Sequence, residues 1–163
     1  FLYGFDNDSI EEVVSKLLSK FNKTISIAES CSGGLMAHKL TNISGISQFF
    51  KRGITSYSNS SKFELLNVKI ETIKKYGAVS MQTAKEMARG IRITSDTDIG
   101  VSITGIAGPD GGTPEKPVGL VYIGYSDSKT EHVEQHFFKG ERLDIKNRSV
   151  NSAFHLVRKM LSN

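Results

Sequence analysis

The sequence predicts an α/β fold, a three-layer α/β/α sandwich with a mostly parallel, mixed sheet. Two observations carry this expectation. Runs of strand length, β-rich or apolar, alternate with amphipathic helical patterns from end to end of the chain, the order expected of a sheet covered on both faces. A turn signal at Asp127-Ser128, with strand patterns on either side, adds at least one antiparallel edge.

The elements follow in order. Ile10, Val13, Val14, Leu17, Leu18 and Phe21 recur at helical spacing, and Ser9 with Glu12 three residues on is a capping box, so the first helix covers 9–21. Residues 24–28 are β-rich and short, and Cys31-Ser32-Gly33-Gly34 breaks them before a helical pattern through Leu40. A strand over 53–58 runs into Asn59-Ser60-Ser61, a cap for a helix over 62–66. A short helix over 70–75 closes at Gly77, and Ser80 caps a longer one whose buried stripe is Ala84, Met87, Ala88 and Ile91. Residues 98–106 and 118–125 read as buried strands joined by a loop over 107–117 dense in glycine and proline. A strand over 131–138 and a helix from about 143 to 161 complete the order, with no repeat, low-complexity tract or linker.

The totals bound the function. At 163 residues, 38% hydrophobic and 23% charged, the chain is the size and composition of one soluble domain, expected to span 1–163. Its apolar stretches are too short to cross a bilayer, which argues against a membrane partner. The single cysteine, Cys31, excludes an internal disulfide and a cysteine-only zinc site, and with no signal-like start the expected compartment is cytoplasmic. A net charge of +4 suits an anionic ligand, but the basic residues are scattered without aromatic interleaving, so a phosphate-bearing small molecule is expected rather than nucleic acid. No metal is expected: His132 and His136 share a face of a predicted strand but stand about 13 Å apart there. His38 and His155 have no carboxylate or histidine at ligand spacing.

Three loops at strand ends could carry chemistry. In Ala28-Glu29-Ser30-Cys31-Ser32-Gly33-Gly34 a strand ends in hydroxyls, and glycines allow close backbone approach at a helix start; backbone amides there can bind an anion or oxyanion, or the segment is a plain capped turn. It offers Ser30, Cys31 and Ser32 as nucleophiles, and chemistry alone leaves the choice open. The second loop holds Tyr57 and Lys62. A lysine serves as base for a serine only if burial or a nearby cation lowers its pKa, and the ordinary expectation for Lys62 is a solvated first-turn residue, as for Tyr57 it is a core aromatic. The third, Thr104 to Gly119, is longer and richer in restricted residues than a plain connection needs, yet matches neither the Walker nor the dinucleotide spacing. Arg142, after Gly140-Glu141, either meets a phosphate or is an exposed residue near a helix start.

Taken together, the segments AESCSGG, ITSYSNSSK, YGAVS, ITGIAGPDGGTPEKPVG and FFKGER, in that order, resemble the CinA C-terminal domain family, the nicotinamide-nucleotide amidases. The resemblance covers about 10–161. It implies an amidohydrolase that converts nicotinamide mononucleotide to nicotinic acid mononucleotide and ammonia in pyridine nucleotide recycling, without a cofactor. Carried over by position, the family's serine, tyrosine and lysine fall on Ser30, Tyr57 and Lys62 as the catalytic set. Substrate binding is expected from Ser32, Gly33, Gly34 and Asn59, from Thr104, Gly105, Gly108 and Lys116, and from Arg142. The family commonly has threonine where Ser32 stands and aspartate where Glu141 stands, both conservative in hydrogen bonding. It also implies a homo-oligomer, and residues 1–8 resemble the tail of a preceding domain or a linker. The rival expectations are a catalytically silent nucleotide-binding module and a regulatory domain of a competence-related protein.

Overall fold

The computed structural model describes residues 7–163. The expectation for 1–8 therefore lies mostly outside the described residues; Asp8 already belongs to the fold, its carboxylate accepting from Lys16 Nζ at 2.6 Å. Helix α1 (Ile10–Phe21) opens on the expected capping box, with Ser9 Oγ accepting from the Glu12 amide and the Glu12 carboxylate accepting from the Ser9 amide. Strand β1 (Ile25–Glu29) leads through the Ser30–Gly34 turn into α2 (Leu35–Thr41). A short 3₁₀ turn (Ile46–Gln48), which no pattern in the sequence announces, precedes β2 (Phe50–Thr55). Helices α3 (Asn59–Leu66), α4 (Ile70–Tyr76) and α5 (Met81–Ser95) follow. Strands β3 (Ile99–Gly105), β4 (Leu120–Ser126) and β5 (Glu131–Phe137) and the long helix α6 (Arg142–Leu161) close the order.

The expected strand over 53–58 is displaced toward the N-terminus. Pairing with β1 begins at Phe50, and the chain leaves the sheet after Ser56 because Ser58 turns to cap α3, its hydroxyl accepting from the Ser61 amide at 3.1 Å. Lys62 thus lies on the second turn of α3 rather than at its start.

The sheet order is β2-β1-β3-β4-β5; β1 runs parallel to both its neighbours, and β4 antiparallel to both of its own. Residues 106–119, between β3 and β4, contain no helix to carry a parallel crossover, which accounts for the second antiparallel pairing. Helices α1, α2 and α6 cover one face, where Ile25, Ile27, Val101, Ile103, Val121 and Ile123 build the larger core. Helix α5, flanked by α3 and α4, covers the other.

The two faces differ because the strands alternate large apolar with small residues. The α5 side presents Ser26, Ala28, Gly100, Ser102 and Gly124, so the helix backbone comes down onto the sheet. A Cβ at Gly100 would stand 2.1 Å from the Ala88 carbonyl oxygen, and one at Gly124 2.5 Å from that of Ala84. The buried hydroxyls on this face are satisfied by the same closeness: Ser26 Oγ donates to the Ile91 carbonyl at 3.1 Å and Ser102 Oγ to that of Ala84 at 2.6 Å. All three parallel strands point their carboxyl ends at one edge of the molecule, where the loops singled out in the sequence converge.

Candidate active site

At that edge the ladder between β1 and its neighbours continues one residue beyond the strands. The Ser30 amide donates to the Ile103 carbonyl at 2.9 Å, and the Ser56 amide to the Glu29 carbonyl at 2.8 Å. Ser30 and Ser56 are thereby fixed side by side at the ends of β1 and β2. Alternation along β1 sends Glu29 to the α2 face, where its buried carboxylate accepts from the Met36 and Ala37 amides at 3.1 and 2.9 Å. Ser30 turns to the opposite face, under α3.

Lys62 reaches down from α3 to meet it. Its ammonium nitrogen is 3.0 Å from Ser30 Oγ and 2.7 Å from the Ser56 carbonyl, and the side chain is 1% exposed. The expectation of a solvated lysine is overturned by this burial. No carboxylate lies within ion-pair distance of Lys62 among the described residues, since Glu29 is taken by the α2 amides. Burial without a counter-ion lowers its pKa from the usual 10.5, which favours the neutral amine that can accept a proton. Cys31 is driven the other way: burial pushes its thiol up to about 12, so it is not a thiolate at neutral pH. Ser32 is wholly buried with its hydroxyl unpartnered.

A cleft of about 270 Å³ opens over the pair. Ser30, Tyr57, Asn59, Lys62, Thr104, Gly105, Gly108 and Arg142, all singled out in the sequence, line it. Ser32, Gly33, Gly34 and Lys116 do not. The Lys116 ammonium is instead bonded to the Tyr76 carbonyl at the end of α4, and Thr104 Oγ1 donates to the Ala78 carbonyl at 2.8 Å. Tyr57 is 62% exposed rather than in the core. Its hydroxyl meets neither Ser30 nor Lys62 but accepts from Arg142 Nη2 at 3.0 Å, while Arg142 Nη1 donates to the Gly108 carbonyl at 2.6 Å. One guanidinium thus ties together the segment before α3, the glycine-rich loop and the start of α6. His132 and His136 both approach Glu134, at 3.9 and 3.0 Å, and no cluster of three or more metal-ligating side chains exists among the described residues.

The model of the CinA C-terminal domain matches residues 7–161. The chain belongs to the CinA C-terminal domain family. A CinA-like protein of Kosmotoga olearia is 53% identical over 99% of this chain and 39% of its own length, and one of Endomicrobium trichonymphae 51% identical over 98% and 37%. The chain spans about two fifths of the length of these curated relatives. The crystal structure of the competence/damage inducible protein CihA from Agrobacterium tumefaciens has a TM-score of 0.88 at 36% identity, over 100% of this chain and 99% of that one. In this CinA-family chain the cleft also includes Cys31, one of the three nucleophile candidates, and Ala78 and Val79, which sequence reasoning did not assign to a site. Ala78 and Val79 lie in the YGAVS segment that carried the resemblance, so a signal for them existed. The Ser56 carbonyl, which accepts from Lys62, had none, because backbone direction and pairing decide it.

Proposed function

We propose that this domain hydrolyses the carboxamide of nicotinamide mononucleotide to nicotinic acid mononucleotide and ammonia, with Ser30 as nucleophile and Lys62 as its base. The observation that carries the reading is the buried Lys62 amine, without a counter-ion, 3.0 Å from Ser30 Oγ on the floor of an open cleft. The neutral amine takes the Ser30 proton as Oγ bonds to the carboxamide carbon. The resulting Lys62 ammonium returns the proton to the departing nitrogen, and ammonia leaves an acyl-serine. Water, deprotonated by the same amine, attacks the ester carbon, and the Lys62 ammonium returns that proton to Ser30 Oγ as the acid is released. The substrate's pyridinium charge draws electron density from the carboxamide and makes it the better electrophile.

Two expected roles are revised. Oxyanion binding by Ser32 to Gly34 is not supported, since those residues do not line the cleft; the Asn59 side chain, one turn before Lys62 and inside it, is the donor at hand. Tyr57, bonded to Arg142 rather than Lys62, is assigned to holding the substrate against the cleft wall.

The test is ammonia release from nicotinamide mononucleotide by the purified chain. Release is expected from the wild type and from Cys31→Ala; its absence from the wild type, with tight nucleotide binding retained, would favour a silent binding module. Arg142→Ala removes two charge-assisted bonds at the cleft rim, and kcat/KM is expected to fall about tenfold. Because the guanidinium is exposed, Tm should move by no more than about 2 °C; a larger drop in a thermal melt would mean that the residue holds the fold rather than the site.

A further inference from the structure

The cleft carries charge of both signs. Arg142 brings a positive one, and Asp110 is the sole carboxylate among the lining residues. The two do not neutralise each other: Asp110 lies within ion-pair distance of neither Arg142 nor Lys62. Nor does it accept a hydrogen bond among the described residues. Aspartates in turns ordinarily bond the backbone a residue or two further on. Asp127 does so between β4 and β5, where it accepts from the Lys129 and Thr130 amides at 2.8 and 2.7 Å. Asp110 has no such duty in its own turn.

The loop that bears it is nonetheless held on both sides. A Cβ at Gly108 would stand 2.5 Å from Val118 Cγ1, and one at Gly112 2.8 Å from the Val118 amide nitrogen, so the backbone before and after Asp110 is seated on one residue. Arg142 Nη1 donates to the Gly108 carbonyl, and the Thr113 amide to the Lys116 carbonyl at 2.8 Å. The carboxylate is thus kept at a fixed place on the cleft wall by a backbone that takes nothing from it in return. An unpaired negative charge set there is complementary to a cation in the ligand.

We infer that Asp110 recognises the positive ring of a pyridinium carboxamide, selecting it over an uncharged ring and over the acid that hydrolysis leaves. This rests on the amidase reading for its ligand. The ring is the one cationic group of nicotinamide mononucleotide, and its phosphate would be repelled by a carboxylate. The acid product keeps the ring charge but gains a carboxylate on the same ring, so attraction and repulsion offset and the reaction itself loosens the ligand. Because the ring charge is present before and during the attack on the carboxamide, Asp110 contributes to binding: KM moves and kcat does not.

Dihydronicotinamide mononucleotide keeps the carboxamide, ribose and phosphate and lacks the ring charge, which makes it the probe. Its binding is measured by calorimetry beside that of nicotinamide mononucleotide and nicotinic acid mononucleotide, in a Ser30→Ala background with Asp110 intact, Asp110→Asn and Asp110→Glu. Ammonia release and KM of the Ser30 forms are followed in parallel. Asp110→Asn should weaken the cationic amide about fivefold at low salt and the other two less than about twofold, and Asp110→Glu should retain most of the affinity. Equal loss for the cationic and dihydro forms would give Asp110 to the ribose, and no loss for either would make it a solvated loop residue; both overturn the inference. A preference for the charged ring that is lost in Asp110→Asn, without ammonia release from the Ser30 form, would sink the amidase reading and leave the cation contact standing. Ammonia release with KM indifferent to Asp110→Asn would do the reverse.

Discussion

Ser30→Ala and Lys62→Met should each lower kcat/KM at least about a thousandfold, because each removes one half of a proton transfer the other cannot complete alone. Lys62→Met should also raise Tm, which makes it the more informative of the two. In the native protein the amine is buried without a counter-ion, so folding takes it out of water while its pKa falls below the unfolded value of 10.5. The unfolded chain then binds the proton more readily, and wild-type stability rises with pH between the lowered native value and 10.5. Methionine abolishes that slope and removes the cost at neutral pH. Activity follows the same titration: the ascending limb of the wild-type pH profile should have its midpoint below 10.5, where Lys62 loses its proton. Thermal melts of both proteins from neutral pH upward, beside the rate profile, check this. A variant that melts lower at every pH would show the lysine to be a structural tie instead of a strained base.

Gly90→Ala should destabilise the fold by about 3 kcal/mol, roughly 6–12 °C in Tm for a chain of this size. The sign is diagnostic, since the same change in an open helix interior normally stabilises by about 1 kcal/mol. Here the added Cβ would stand 1.7 Å from the Leu66 carbonyl oxygen at the end of α3, and backbone cannot swing aside as a side chain can. Helix α3 would have to lift from α5, carrying Lys62, one turn earlier, away from Ser30. Ammonia release should therefore fall even well below the melting temperature. Melts and rates on this one variant suffice, and a Tm within 2 °C of wild type would refute the tight contact.

The sequence was most legible where local rules decide. The capping box at Ser9 and Glu12, the glycine break after Ser30 and the stripe of Ala84, Met87, Ala88 and Ile91 each announce their element in adjacent residues. What stayed hidden depends on pairing across the chain. The start of β2 at Phe50 follows from its register against Ile25, and the second antiparallel pairing from the lack of a helix between β3 and β4. At the site, resemblance brought Ser30, Tyr57 and Lys62 together, but not who bonds to whom. Burial of Lys62 depends on Gly90 and on the Ser56 carbonyl, and the Tyr57 contact on an arginine 85 residues away.

The small-residue face of the sheet has a consequence for access. With the α5 backbone seated on Gly100, Gly124 and Ser102, that helix cannot slide or tilt without driving carbonyl oxygens into the strands. The floor that sets the Ser30 to Lys62 separation is therefore stiff. The opposite wall is held by Arg142 through two bonds, one to Tyr57 and one to the glycine-rich loop. On the proposed reaction, entry and exit of a ligand would then strain those two bonds before they disturb the 3.0 Å separation of Ser30 and Lys62.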